Sequence, residues 1–176
     1  MHKGMLLASA LSALWCASDG LIYAEGGFPT RIGPSGEFLE LEHPGNGQTV
    51  KEYLPLHRSG TIRYFAAGVG LLERQAEYPP FSLKLVFTAG GKPYLTGVDV
   101  AIRALKGETA ITIPKEEIEG PWLFVDLPTG TYDITATYGT QQQSLKGMKI
   151  VTGKQKTLYV RWPEDVGATV NLPKDE

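Results

Sequence analysis

The chain has very few of the residues that form disulfides, thiolate sites or histidine metal sites. Its 176 residues include one cysteine, Cys16, and three histidines. Cys16 lies in an N-terminal segment that we expect to be removed, so the mature chain would contain no disulfide, no thiol nucleophile and no thiolate ligand. Its fold would then depend on packing alone, and a zinc site closed by cysteine and histidine ligands is not expected.

The sequence also lacks a strong excess of charge and a second long apolar run. The formal net charge is −2 and the sequence pI is about 5.9, whereas nucleic-acid binding needs a clustered cationic surface. No apolar run beyond the N-terminus reaches the roughly 20 residues that span a bilayer. We therefore expect neither nucleic-acid binding nor a membrane span after removal of the N-terminal segment.

The N-terminus has the pattern of a secretory signal peptide over residues 1–24. Lys3 precedes an apolar run, residues 5–17, that is too short to span a bilayer as a helix. Cleavage is expected after Ala24, with Ser18 as the alternative. Trp15 stands where lipoprotein processing needs a small residue, which argues against lipid attachment at Cys16. The pattern predicts a periplasmic or secreted protein.

Residues 25–80 predict an irregular N-terminal extension with short strands and a short helix, in which residues 25–60 are rich in glycine, proline and polar residues. Two short apolar pieces, residues 38–41 and 50–54, are interpreted as strands or extended segments. They are expected to lie on the main domain, and a free arm is the alternative. The pattern then predicts a strand over residues 61–67. A short helix over residues 71–78 is expected to end before a pair of prolines.

Residues 81–162 alternate apolar and polar positions, as strands with one buried face do. Strands are predicted over residues 81–87, 98–104, 109–113, 122–127, 132–138, 144–151 and 156–162. Turn signals separate them, and no long helical pattern intervenes. We predict an all-β fold, a single antiparallel β-sandwich of about seven strands, followed by a flexible tail over residues 163–176.

One sequence stretch marks a corner of this sandwich. Leu127 and Pro128 are followed by Gly130 and Tyr132, after which apolar residues alternate along a strand. Proline and glycine turn the chain, and the tyrosine ring anchors the corner while its hydroxyl bonds to nearby backbone. These four residues are structural candidates and carry no chemistry of their own.

Residues 120–136, which include this corner, resemble the carboxypeptidase regulatory-like, transthyretin-like domains of exported bacterial proteins. The resemblance covers about residues 81–162, and the segment from Ile62 to Arg74 is similar to one that precedes the domain in small Gram-negative proteins. It implies a prealbumin-like sandwich of the carbohydrate-binding-like type. It implies no reaction, because this fold hosts structural, sugar-contacting and accessory roles.

The catalytic relatives of that fold do not match this chain. A hydroxyisourate-type hydrolase needs paired histidines, an arginine and a Tyr-Arg-Gly-Ser C-terminus, whereas this chain ends Leu-Pro-Lys-Asp-Glu. A zinc carboxypeptidase needs a His-x-x-Glu pair, and neither His43 nor His57 has a glutamate three residues on. We therefore predict no catalytic residue, no metal site and no cofactor.

Three aromatic residues are the candidate binding surface. Leu123 and Val125 take one face of their strand, so Trp122 and Phe124 point to the other, and Tyr159 behaves likewise on its own strand. Outward aromatics either contact a sugar or a partner, or lie under another part of the chain. The residues proposed to cover them are Phe38, Leu39, Leu41, Tyr53 and Leu54.

These observations rank three classes of function. A non-catalytic interaction or accessory module of the cell envelope, with an unknown protein partner, comes first. A glycan-binding module of the same fold is the alternative, and an enzyme comes last. The residues alone do not decide between the first two.

Overall fold

A computed structural model describes residues 27–163, except Gly91 and Tyr94. The predicted signal peptide and residues 164–176 of the predicted tail lie outside the described residues. The strands are β1 (Phe28–Ile32), β2 (Phe38–Gly45), β3 (Gln48–Pro55), β4 (His57–Ser59), β5 (Ile62–Ala67), β6 (Ala76–Glu77), β7 (Leu83–Ala89), β8 (Lys92–Pro93), β9 (Asp99–Ala104), β10 (Ala110–Ile113), β11 (Trp122–Val125), β12 (Gly130–Tyr138), β13 (Gln141–Ile150) and β14 (Lys156–Trp162). The helices are α1 (Leu71–Gln75) and a single 3-10 turn (Lys115–Glu117).

The strands form three sheets. The N-terminal sheet has the order β3-β2-β1-β6, and the central sheet has the order β14-β7-β11-β5-β4, with β8 paired to β7. The third sheet, which we call the outer sheet, has the order β10-β9-β12-β13. The predicted all-β class is confirmed, because the described residues form three sheets and only one short α-helix.

The main core lies between the central and outer sheets. Apolar residues that alternate along β7 and β11 meet those that alternate along β9 and β12, as face-to-face sheets require. The largest of these side chains are fully or almost fully buried: Leu83, Leu85, Phe87, Val100, Ile102, Leu123, Val125, Tyr132 and Ile134. This arrangement is sandwich-like, and Leu123 and Val125 share one buried face as predicted.

The N-terminal sheet forms a further layer on the other face of the central sheet. Leu39, Leu56, Phe65 and Phe124 pack together in a second buried cluster, which is separate from the main core. The two central strands β5 and β11 therefore bury apolar residues on both faces, which explains why their sequences lack a polar side. The extension that the sequence predicted as irregular is thus an ordered sheet packed on the domain.

The predicted direction of one pair of strands is wrong. The sequence predicted a purely antiparallel sandwich, but β14 pairs with β7 in parallel, from Lys156 opposite Leu83 to Trp162 opposite Ala89. β14 enters the central sheet from β13 of the outer sheet, and such a crossover, unlike a tight hairpin, permits parallel pairing. Turn spacing along the sequence does not reveal which strands become neighbours.

Strands from both sides of the predicted boundary at residue 80 belong to one sheet. β4 and β5, which the sequence assigned to the extension, are strands of the central sheet. The helix ends at Gln75 instead of residue 78, since Ala76 adopts an extended conformation and begins β6, which pairs with β1. At its start, the Glu73 carboxylate accepts hydrogen bonds from the backbone of Gly68 and Val69 at 2.7 and 3.2 Å.

Candidate interaction surface

Phe124, one of the three predicted surface aromatics, is buried beneath the N-terminal sheet. Its ring stacks on Phe65 with the centroids 4.5 Å apart and an interplanar angle of 2°, and the residue is 1% exposed. Leu39 and Leu56 belong to the same cluster. Phe124 is therefore part of the contact between two sheets and is closed to a partner.

Trp122 is partly covered and has two close neighbours. Lys84 places its Nζ 3.5 Å from the centre of the indole ring, within the range of a cation–π interaction. Burial lowers the pKa of Lys84. On the other side, a side chain on Gly68 would come within 2.8 Å of the ring, and Gly68 has φ +97°. Trp122 is therefore held by its surroundings and presents only part of its ring.

Tyr159 is the one predicted surface aromatic that is widely exposed, at 56%. The register places Tyr159 beside Val86, and Val86 beside Trp122, so the three residues form one row across the central sheet. The Arg161 guanidinium lies 5.9 Å from the Tyr159 ring. Tyr159 and Trp122 thus share a face, as the alternation along their strands indicates.

The predicted corner has the following geometry. The Tyr132 hydroxyl donates a hydrogen bond of 2.8 Å to the backbone oxygen of Pro128, and the residue is 2% exposed. Its ring lies against Gly130, where an added Cβ would come within 3.0 Å of the ring. Burial raises the pKa of the Tyr132 hydroxyl. Leu127, fully buried, continues the same core.

A second exposed aromatic patch lies on the N-terminal sheet, on the face that points away from the central sheet. Phe38 and Tyr53 meet edge to face with centroids 5.1 Å apart, and Tyr53 is 57% exposed. With Glu37 and Pro55 they line an open concavity of about 430 Å³. We call these four residues the aromatic platform.

The sequence assigned Phe38 and Tyr53 to the set that covers Trp122 and Phe124, and this is wrong for both. Leu39 and Leu54 face the central sheet, and Phe38 is the neighbour of Leu39 along β2. Successive residues of a strand point to opposite faces, so Phe38 must face outward. The sequence contained this signal, because Phe38 and Leu39 cannot both be inward.

A network of four charged residues borders the platform. Arg31 contacts Glu40 and Glu42 at 2.7 and 2.9 Å, and Lys51 contacts the same two carboxylates at 3.5 and 3.4 Å. The hydrogen bond from Arg31 holds the pKa of Glu40 below its ordinary value. Tyr53 stands directly opposite Glu40 in the register, so the charges and the exposed ring share one surface.

Two other regions of the described surface contain polar groups beside a concavity. The Tyr64 hydroxyl donates a 2.6 Å hydrogen bond to Glu117, and His57 stacks on Tyr64 beside a cleft of only about 50 Å³. A groove of about 380 Å³ crosses the outer sheet. In it, Asp133 accepts a 2.8 Å hydrogen bond from the Gly147 backbone and pairs with Lys146 at 3.3 Å.

Metal-binding and membrane-spanning features can be assessed only for the part of the chain that the structure describes. Within residues 27–163, less Gly91 and Tyr94, no group of three or more histidine, cysteine, aspartate or glutamate side chains is placed to hold a metal ion. Among the same residues, no helix has the length and apolar character needed to cross a membrane.

Comparisons with protein-family models, with curated proteins and with solved structures gave no match. The resemblance to carboxypeptidase regulatory-like domains therefore stays a prediction from the residues of the corner. The aromatic platform is therefore described by its ring contact, its exposure and its neighbouring charges.

Proposed function

We propose that this protein is a non-catalytic, exported module of the cell envelope that binds a partner protein through its aromatic platform. The observation that carries the proposal is the Phe38–Tyr53 pair, which leaves Tyr53 57% exposed on an ordered sheet. A large aromatic ring held in this way contributes much contact area at little cost in conformational entropy. We further propose that the sandwich is of the prealbumin-like type.

The surroundings of the platform support a protein partner. Protein interfaces combine an apolar, aromatic centre with a polar rim in which arginine is enriched. Here Phe38, Tyr53 and Pro55 form the centre, while Arg31 and Lys51 lie on the adjoining charged network. Since each cation already pairs with Glu40 and Glu42, the rim is ordered before a partner arrives.

A glycan is the alternative ligand, and one observation favours it. Glu37 lines the same concavity as Tyr53, and a glutamate carboxylate can accept hydrogen bonds from sugar hydroxyls while an exposed aromatic ring packs on the sugar face. The proposal of export is common to both alternatives.

Photocrosslinking tests the protein partner directly. A photoreactive aromatic amino acid replaces Tyr53, and in a second strain it replaces Tyr159, an equally exposed aromatic on a different sheet. We expect a discrete protein adduct in the periplasmic fraction from position 53 and none from position 159. Equal labelling from both positions, or no adduct from position 53, would contradict the proposal.

The glycan alternative and the export step each have a separate readout. If the platform binds glycan, Tyr53→Ala should abolish binding to peptidoglycan or to a glycan array, whereas Tyr159→Ala should not. Mass spectrometry of the periplasmic protein should find a mature chain that begins near Glu25. An intact Met1 or a lipid on Cys16 would refute the predicted export route.

A further inference from the structure

The N-terminal sheet ends in an open edge. β3 is the last strand of the order β3-β2-β1-β6, and it pairs with β2 over its whole length, from Pro55 opposite Phe38 to Gln48 opposite Gly45. Among the described residues no strand pairs with its other side. An eight-residue strand with an unpaired edge is a template for the addition of another strand.

The hairpin turn determines which backbone groups face that edge. Asn46 and Gly47 have φ +50° and +78°, as a two-residue type I′ turn requires. In such a hairpin Gly45 and Gln48 form a hydrogen-bonded pair, and bonded and non-bonded pairs then alternate. The Leu56 amide, which donates to Glu37 at 2.8 Å, continues the same alternation. The even-numbered residues of β3 therefore bond to β2.

The odd-numbered residues of β3 consequently direct their backbone N–H and C=O groups to the open edge. Thr49, Lys51 and Tyr53 each present a donor and an acceptor there, whereas Pro55 presents only an acceptor. The bonding capacity of the edge is thus concentrated in its first part, between the turn and Tyr53. A strand that adds to this edge should cover that part.

We propose that this edge pairs with β3 of a second copy of the chain, antiparallel about a two-fold axis that passes through Val50. In this register Thr49 lies opposite Lys51 of the second copy, and Lys51 lies opposite its Thr49. Each of these pairs exchanges two backbone hydrogen bonds. The two N-terminal sheets then form one continuous sheet across the dimer, which is a closed, isologous contact.

The charges along β3, its proline and the adjoining hairpin turn favour this register over the neighbouring ones. A shift that centres the pairing on Lys51 would set Lys51 opposite its own copy, and one centred on Glu52 would set two glutamates opposite each other. Like charges directly opposite are destabilising. Centring on Tyr53 would put Pro55, which has no N–H, at two hydrogen-bonded positions. Centring on Thr49 would leave a single hydrogen-bonded pair within β3, Thr49 with its own copy, and would set Lys51 opposite Gly47 of the turn.

The side chains also fit the proposed register. Val50 is 38% exposed in the single chain and would meet Val50 of the second copy, which buries apolar surface on both. Glu52 would lie opposite Gln48. Tyr53 would lie opposite Gly47, and an aromatic ring placed over an edge glycine is a favourable cross-strand arrangement. The proposal concerns the edge of the sheet and does not depend on the partner proposed for its outer face.

A cysteine scan measures the register. In the full chain carrying Cys16→Ser, the variants Val50→Cys, Lys51→Cys and Glu52→Cys are oxidised mildly and analysed on non-reducing gels. Val50 would be a non-hydrogen-bonded pair with a Cα separation of about 4.5 Å, which suits a disulfide. We expect a disulfide-linked dimer mainly from position 50. Cross-linking that is strongest at position 51 or 52, or absent at all three, would overturn the proposal.

A proline substitution tests the backbone bonds themselves. Lys51→Pro removes an N–H that faces the open edge and leaves the ladder to β2 intact. Lys51→Ala is the control, because it loses the same lysine side chain and its ion pairs with Glu40 and Glu42 but keeps the N–H. In sedimentation experiments the unmodified chain and Lys51→Ala should show twice the mass of one chain, in a fraction that rises with concentration, because a single pair of strands makes a small interface. Lys51→Pro should be monomeric with unchanged circular dichroism. A monomeric unmodified chain, or a Lys51→Pro dimer, would overturn the proposal.

Discussion

Tyr132 shows how one residue combines two stabilising contacts at a turn. Its ring is buried against Gly130, and its hydroxyl donates a 2.8 Å hydrogen bond to Pro128. Tyr132→Ala should lower the free energy of unfolding by about 3–5 kcal/mol, as aromatic-to-alanine changes in cores do. Tyr132→Phe should cost only about 1 kcal/mol, the value of one hydrogen bond.

Chemical denaturation of the two variants checks this prediction. The phenylalanine variant is the control for the ring, since it keeps the packing and loses only the hydroxyl. If both variants lose the same small amount of stability, the ring is not a buried part of the corner. The residues of this corner are predictable from sequence because the turn, the ring and its acceptor lie within five consecutive positions.

Phe38 and Tyr53 show the opposite case at the same scale. Both are aromatic residues in an apolar stretch, and their type alone favours burial. What exposes them is the pairing of β2 with β3, which places Tyr53 opposite Glu40 and Phe38 opposite Pro55 on the outer face. The sequence can show that Phe38 and Leu39 point in opposite directions. Only the packing of the N-terminal sheet on the central sheet decides which of them is covered.

The N-terminal sheet, as an element, carries a pH-dependent contribution to stability. Arg31 holds the pKa of Glu40 below its ordinary value of 4.5, chiefly through their hydrogen bond. The folded chain therefore binds this proton more weakly than the unfolded chain does. The stabilisation is complete above pH 4.5 and is lost as the pH falls through the lowered pKa of the folded state.

Glu40→Gln should therefore destabilise the protein at neutral pH and lose most of that effect in acid. Unfolding free energies measured between neutral pH and a pH well below 4.5 would show the difference from the unmodified protein shrinking. Glu108→Gln, a change at an exposed position outside the network, is the matched control and should change the free energy of unfolding little. A Glu40→Gln effect that does not change with pH would refute the assignment.

The three-layer arrangement of the whole molecule predicts the consequence of removing its first layer. A chain that lacks residues 27–55 should expose Phe65 and Phe124, since Leu39 would no longer cover them. We expect stronger binding of a hydrophobic dye and a tendency to aggregate, while the strand signal of the central and outer sheets remains. Dye fluorescence and light scattering measure both effects.

A second change makes this experiment specific. Replacing Phe65 and Phe124 by serine in the shortened chain should bring the dye signal back towards that of the full chain. If the shortened chain stays monomeric and does not bind the dye, the N-terminal sheet does not protect this face. The deletion ends at residue 55 because β4, which follows, is a strand of the central sheet.

Residues close together in the chain are enough to predict the all-β class and the shared buried face of Leu123 and Val125. The packing of distant strands decided the other three features. β14 lies parallel to β7, the N-terminal sheet covers one face of the central sheet, and Tyr53 is exposed whereas Phe124 is buried. The physical reason is common to all three. Alternation states which residues share a face, whereas the burial of that face depends on which distant strand packs against it.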